Sequence, residues 1–253
     1  HCMQGISIVT GTLNRREYLK DLLRDTVESD ERLELVLVDG GSTDGTIETL
    51  EDINHPRVKL VKHGERSSYP HYMNLGIHNS SYELVCQWND DVLLANSWDD
   101  VFNTIDEHDA YLFNWKEGSS YDTEDESWLK CNHIRDNGWN LHNCADYSYP
   151  NPVRGEIVMN YGIYKKNVFR KHGLYNDEYN YYCADGEMSM RAYYGGAKFK
   201  TCIDIKVCVL PAEKRAILVN EDLTLYTKHC TYYTLPRSIT GCSIGEIFKG
   251  EYL

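Results

Sequence analysis

Apolar residues arrive in short blocks over the first hundred positions, and the blocks alternate in period. "ISIV" (Ile6 to Val9) is a β-rich run. Beyond "TGTLNR", Leu19, Leu22, Leu23 and Val27 fall at helical spacing within "EYLKDLLRDTV". "LELVLVDG" (Leu33 to Gly40) is almost continuously apolar, as a strand covered on both faces must be. The turn "GGSTDGT" leads into a helix through Ile47 and Leu50, "RVKLVKH" reads as a third strand and "YELVCQW" as a fourth. Between the last two lies "YPHYMNLGIHNS", a helix with Pro70 in its first turn, where a missing N–H is harmless. A helix from Trp98 to Glu107 and the strand "AYLFNW" follow. Strands alternating with helices of this length predict βαβ units and a parallel sheet with helices on both faces.

The character changes after Trp115. Residues 116–156 are polar and aromatic without clear period, the composition of a loop-rich, substrate-facing region. Regularity returns in "MNYGIYKKNVFRKHG" (strand then helix), "ADGEMSMRAYYGGAKF" (a helix closed by Gly195 and Gly196) and "KVCVLP" (a last strand). The expected organisation is one domain over residues 1–253. Two halves, about 4–110 and about 111–215, are followed by a C-terminal tail, 216–253.

In such sheets ligands bind at the carboxyl ends of the strands. Three conspicuous polar stretches lie there: Thr10 to Arg15, Asp39 to Asp44, and Asn89 to Asp91. The last is the most demanding. Two adjacent carboxylates at the mouth of a buried strand repel, and partial removal from water is costly unless something positive sits between them. Asn89-Asp90-Asp91 has the shape of a D-x-D-like motif, and Mg²⁺ or Mn²⁺ takes oxygen ligands of this kind together with substrate phosphates. The plainer reading is a solvated turn ahead of the next helix. Asp39 precedes a glycine pair that lets backbone approach a ligand, and its carboxylate can accept a ring N–H such as N3–H of uracil. Asp44 reads as turn and cap chemistry.

Charge and cysteine usage narrow the class. The chain has 253 residues, 39 acidic against 26 basic, for a net charge of -13. That balance argues against a nucleic-acid partner, though a locally basic pocket remains compatible with it. The nine cysteines contain no CxxC pair and read as reduced thiols. With no leader pattern, and with His1-Cys2-Met3 read as an addition ahead of a native start, a cytoplasmic location is expected. No apolar run approaches eighteen residues, so no transmembrane segment is expected, which leaves room for peripheral membrane contact.

"ISIVTGTLNRREYLKDLL", "ELVLVDGGSTDGT", "MNLGI" and "QWNDDV" stand in the order and approximate spacing of the inverting family-two glycosyltransferases with the nucleotide-diphospho-sugar transferase (GT-A) fold, and the chain resembles that family through residue 92 and more loosely beyond. The resemblance implies a metal-dependent transfer from a nucleotide-sugar donor, a UDP-sugar by analogy, to a saccharide or glycan acceptor. It implies that Thr10, Gly11, Thr12 and Asn14 surround the nucleoside, with Gly11 where the family usually has proline. Asp39 falls on the base-recognising aspartate, and Gly40 replaces a second aspartate. Asn74 in "MNLGI", together with Asn89 and Asp90, falls near the nucleotide-sugar, and Arg66 faces the diphosphate. Asp91 falls on the metal-binding aspartate, and His229 is the late histidine that would return to the cation. Aligning Arg191 with the arginine of a D-L-x-x-R-like helix puts Glu187 on the later acid and Asp185 on the aspartate of an E-D pair whose glutamate is here Ala184.

An inverting transfer needs a carboxylate that takes the proton of the attacking hydroxyl, a role that fits Asp185, while a cation near Asp91 meets the leaving diphosphate. The plainer reading of Asp185 is a helix cap. Trp115, Trp139 and Glu187 are the candidates for the acceptor side, since rings stack on sugars, although large aromatics also serve as core. Two other readings stay open. One is a binding domain without turnover, favoured by Ala184. The other is a sugar nucleotidyltransferase, which "TGTLNRRE" disfavours because it lacks a glycine-rich basic loop.

Overall fold

The computed structural model describes residues 4–117, 157–209, 220–235, 241 and 243–253. Its centre is an eight-stranded sheet built from β1 (Ile6–Thr12), β2 (Leu33–Asp39), β3 (Val58–Lys62), β4 (Leu84–Gln87), β5 (Val92–Leu94), β6 (Ala110–Glu117), β7 (Gly162–Lys165) and β8 (Phe199–Val209), in the spatial order β3-β2-β1-β4-β7-β6-β8-β5. The pairs β1–β2, β2–β3, β1–β4 and β6–β8 are parallel, while β7 and β5 run against their neighbours. The sheet is therefore mostly parallel, as the alternating pattern predicts.

Burial explains the choice of residues. Every position of β2 is buried, so its continuous apolar run faces helices on both sides. One face carries Ile6, Ile8, Leu35 and Leu37 against α1 (Arg16–Asp25) through Leu19, Leu22 and Leu23, and against α4 (Trp98–Thr104) through Trp98 and Val101. The other carries Val9, Val36 and Val85 against α3 (Tyr69–His78) through Met73 and Ile77, with α5 (Lys166–His172) and α6 (Ala184–Tyr194) beyond. Between β2 and β3 lies α2 (Thr46–Ile53).

Three regions differ from the sequence reading. β5 was not expected, because three residues carry no period. β8 begins at Phe199, well before the expected "KVCVLP", and pairs with β6 through a register shift between Phe113 and Asn114. The segment read as a tail contains α7 (Asn220–Thr234), which buries Tyr226, Cys230 and Tyr233 against the α6 side of the core, and α8 (Ile244–Ile247). Among the described residues no helix is long and apolar enough to cross a membrane. Residues 118–156 of the expected loop-rich region, Trp139 included, lie outside the described residues.

Candidate functional site

Because β1, β2 and β4 are parallel, their carboxyl ends share one edge of the sheet, and the three polar stretches meet there. Asp39 is fully buried, and its own loop occupies both carboxylate oxygens: Oδ1 accepts the N–H groups of Gly41 and Ser42 at 2.8 Å each, and Oδ2 the Ser42 hydroxyl at 2.6 Å. Asn14, at φ 51, ties the first loop to the second: its N–H donates to Ser42 Oγ at 2.9 Å and its Oδ1 accepts from the N–H of Thr43 at 2.7 Å. Gly41 has φ 95, and a Cβ there would stand 2.7 Å from the carbonyl of Gly64, so only glycine suits the turn. Asp44 accepts the N–H of Thr46 in the first turn of α2 at 3.1 Å, the local role expected of it.

The cation demanded by the acidic turn is present in the chain. The Arg15 guanidinium lies 2.9 Å from Asp91 Oδ2 and 3.5 Å from Asp90 Oδ1, while Thr12 donates to Asp90 Oδ2 at 3.0 Å. Asn89 donates to the Tyr161 hydroxyl at 3.2 Å. Burial pushes the Asp90 carboxyl up to about 6, a shift that Arg15 opposes and Asp91 reinforces. The two side chains present carboxylate oxygens at one turn, with Arg15 bound to both. Asp90 and Asp91 together are thus a fitting oxygen pair for a further divalent cation.

A cavity of about 470 Å³ opens beside this turn, lined among others by Gly11, Arg15, Gly40, Arg66, Tyr72 and Asp90. Two guanidinium groups lie on this wall, Arg66 and the Arg15 that pairs with Asp90 and Asp91. Tyr181 and Tyr182 also line the cavity, and the Arg66 guanidinium stands 5.4 Å from the Tyr181 ring centre. Gly11 explains its own departure from the family pattern: a Cβ there would meet the Tyr72 ring at 2.8 Å. Thr10 is buried, its hydroxyl donating to the carbonyl of Gly11 at 2.9 Å.

Asp185 approaches the same region from α6. The register Gln87↔Gly162 places Asn160 and Tyr161 just past the end of β4, and Asn160 Nδ2 reaches Asp185 Oδ2 at 3.5 Å. Asn160 is fixed in turn: its Oδ1 accepts from Trp115 Nε1 at 3.2 Å and its carbonyl from Gln87 at 2.7 Å. The residue at the helix N-cap is Cys183, so Asp185 is not the cap, although its Oδ1 accepts the N–H of Gly186 at 2.8 Å. Burial pushes the Asp185 carboxyl up to about 6, against that hydrogen bond. The Tyr72 hydroxyl is raised by burial and then by the charges of Asp90, Asp185 and Asp91. The acidic turn and Asp185 therefore act on one neighbourhood.

Other expected residues lie elsewhere. Asn74 pairs with the backbone of Tyr175, donating to its carbonyl at 2.9 Å and accepting its N–H at 3.0 Å, so its amide is occupied in holding a loop. Glu187 is fully buried, 2.8 Å from Arg191 Nε and accepting the Tyr233 hydroxyl at 2.6 Å, which removes it from the acceptor side. His229 Nδ1 is 3.0 Å from the Tyr179 hydroxyl and its ring stacks on Tyr233, so it packs within the core on α7. Trp115 is buried and edge-on to Tyr161, which makes it a support for Asn160 rather than a stacking surface. Arg15 and Asn160 were missed. The "NRR" ahead of α1 held a signal for the first, and nothing local marked the second.

One group of three potential ligands, Asp106, Glu107 and His108, comes together among the described residues. It precedes β6 and so sits at the opposite edge of the sheet. The Asp106 carboxylate is already engaged by the His108 backbone N–H and ring, the Tyr111 hydroxyl and Lys200, which hold it well below the ordinary range against the effect of burial. It reads as a structural turn.

Comparison with known proteins accords with this arrangement. The profile described as "Glycosyl transferase family 2" matches residues 7–162. An "Uncharacterized glycosyltransferase" of Haemophilus influenzae is 25% identical over 187 residues, covering 70% of this chain and 56% of that protein. Among solved structures, S. aureus TarS 1–349 in complex with UDP-GlcNAc superposes with a TM-score of 0.69 at 17% identity, over 93% of this chain and 69% of that one. The mannosyltransferase PcManGT from Pyrobaculum calidifontis, in complex with GDP-Man and Mn²⁺, superposes with a TM-score of 0.61 at 18% identity, over 84% and 59% respectively. At such identities the likeness shows the fold, a GT-A domain. The chain spans little more than half the length of the Haemophilus relative and of the mannosyltransferase.

Proposed function

The chain belongs to glycosyl transferase family 2, and we propose that it moves a sugar from a nucleotide-diphospho-sugar, a UDP-sugar first among them, to a saccharide hydroxyl with inversion. The observation that carries this reading is that Asn89 of the acidic turn bonds the Tyr161 hydroxyl while the preceding residue, Asn160, reaches Asp185, which brings both sets of carboxyls to the cavity that Asp90 lines. The two neighbouring structures hold GDP-Man and UDP-GlcNAc, which supports a nucleotide-sugar as the donor with the base left open between them.

In this reading the diphosphate lies against Arg15 and Arg66, whose guanidinium N–H groups suit phosphate oxygens. Asp39 contributes by holding the Gly40 backbone in the cavity wall, since its carboxylate is committed to the loop. Asp90 and Asp91 would hold a divalent cation, which when bound would neutralise charge on the leaving diphosphate. Asp185 accepts the proton of the attacking hydroxyl. A carboxyl with a value near 6 is a better base than an ordinary aspartate and is still ionised at neutral pH. Asn160 orients it. A thermal-shift screen of UDP, dTDP, GDP and CMP with and without Mn²⁺ tests the donor class. A nucleotide at a hundred times its dissociation constant stabilises the protein by about 2.7 kcal/mol, and no shift with any of the four would contradict the reading.

A further inference from the structure

One buried carboxylate outside the cavity has an arrangement that packing alone does not require. Asp222, in the first turn of α7, is 1% exposed, and three successive backbone amides converge on it. Oδ1 accepts the N–H of Asn180 at 2.8 Å, and Oδ2 accepts those of Tyr181 at 3.0 Å and Tyr182 at 3.1 Å. Consecutive amides turned inward form a concave anion nest, and here the chain fills it with its own side chain. Burying a carboxylate is costly, whereas α7 already docks through the apolar rings of Tyr226 and Tyr233. What the carboxylate adds is a fixed shape for residues 180–182, through charge-assisted bonds stronger than neutral ones.

That shape matters because of what the loop touches. Tyr181 and Tyr182 line the cavity, and Tyr181 remains 41% exposed with Arg66 over its ring. The carbonyl of Asn180 accepts the N–H of Tyr69, another lining residue, at 3.0 Å. The next residue, Cys183, sits at φ 66, in the left-handed region that a non-glycine residue enters only when its surroundings impose it. Immediately after it α6 begins, with Asp185 in its first turn. A single side chain on α7 thus sets one wall of the cavity and the entry of the helix that carries the proposed base.

We propose that Asp222 is a positioning residue of the donor site, which preorganises the Tyr181–Tyr182 wall so that a nucleotide-sugar binds without having to order it. This rests on the reading of the cavity as a donor site. Preorganisation acts on affinity by removing an ordering cost. Asp222→Asn keeps the volume and one acceptor oxygen, but turns an NH₂ toward the amides.

The test pairs hydrogen exchange with calorimetry on the full chain, using UDP and GDP with Mn²⁺ as probes. Wild-type binding is read first, and a wild type that binds neither nucleotide overturns the donor-site reading and the role of Asp222 within it. With binding established, the wild-type amides of 180–182 are expected to be protected before any nucleotide is added. In Asp222→Asn they lose that protection while β1 and β2 keep theirs, and the dissociation constant rises about tenfold at temperatures well below unfolding. A merely structural role would lower the unfolding midpoint and leave the dissociation constant of the folded protein alone, which would overturn the proposal. So would a variant whose loop exchanges as in wild type. If Asp222→Asn does not fold, the wild type decides alone: amides of 180–182 already protected without nucleotide support the proposal, and amides protected only after nucleotide is added overturn it.

Discussion

Arg15 and Asp91 form an ion pair of 2.9 Å in which the guanidinium also reaches Asp90 at 3.5 Å, so the two carboxylates at the end of β4 share a cation that the chain supplies itself. Arg15 is part-exposed on the cavity wall, with its guanidinium over the Tyr18 ring. Without it, Asp90 and Asp91 would meet each other's charge directly.

Replacing Arg15 with methionine is therefore expected to destabilise the protein by about 1 kcal/mol, the upper range for a part-exposed pair, and to make it more responsive to added cation. Thermal unfolding in EDTA and in Mn²⁺ checks this. The midpoint should fall further in EDTA than in Mn²⁺, and an equal fall in both would show that Arg15 and a divalent ion do not act on the same carboxylates.

Asp91→Asn removes one of the two oxygen anions proposed to hold the cation. UDP affinity in Mn²⁺ is expected to drop by at least about tenfold, since even partners outside the ligand set cost that much at metal sites. Calorimetry giving the same UDP affinity for wild type in Mn²⁺ and in EDTA would remove the metal from the account.

For Asp39 the structure changes the expected consequence. Its two oxygens collect two backbone N–H groups and the Ser42 hydroxyl, so Asp39→Ala leaves buried donors unpaired and is expected to cost about 2 to 3 kcal/mol of stability. Nucleotide affinity should fall as well, through the loss of order at Gly40. Urea unfolding and UDP calorimetry on the same preparation check both, and a variant of wild-type stability would show that the loop does not depend on this carboxylate.

These outcomes mark where the sequence could be read and where it could not. β2 was legible because a strand buried on both faces has to be apolar throughout, from Leu33 to Val38. The demand for a cation beside Asp90 and Asp91 followed from charge alone. Choosing Arg15 over its neighbours required knowing which way the first turn of α1 faces. The bond of Asn74 to the backbone of Tyr175 was not legible, because that partner lies 101 residues away and leaves no local trace. Glu187 could have been excluded, because Arg191 stands one helical turn later and on a buried helix such a pair closes on itself. The short β5 owes its existence to β8, and no property of Val92, Leu93 and Leu94 announces it.

The pH profile follows from Asp185. Its carboxyl is raised to about 6, so the ionised form needed to accept a proton is lost as pH falls through that value. The rate at saturating donor should rise with pH through about 6 and level off above it. A profile that is flat from about pH 5 to 8 would place proton transfer on another group or outside the limiting step.

The most direct measurement is the release of nucleoside diphosphate from UDP- and GDP-sugars in Mn²⁺, for wild type and Asp185→Asn, with donor affinity determined alongside. Asparagine preserves the shape and the hydrogen bond to Gly186 but cannot take a proton. Wild type should turn over at least one donor, and the variant should be slower by roughly 10² to 10⁴ with donor affinity little changed. Donor binding without turnover in wild type would identify a nucleotide-sugar-binding domain instead of a transferase. A variant that retains more than about a tenth of the wild-type rate would contradict Asp185 as the base, because a true general base contributes at least about a hundredfold.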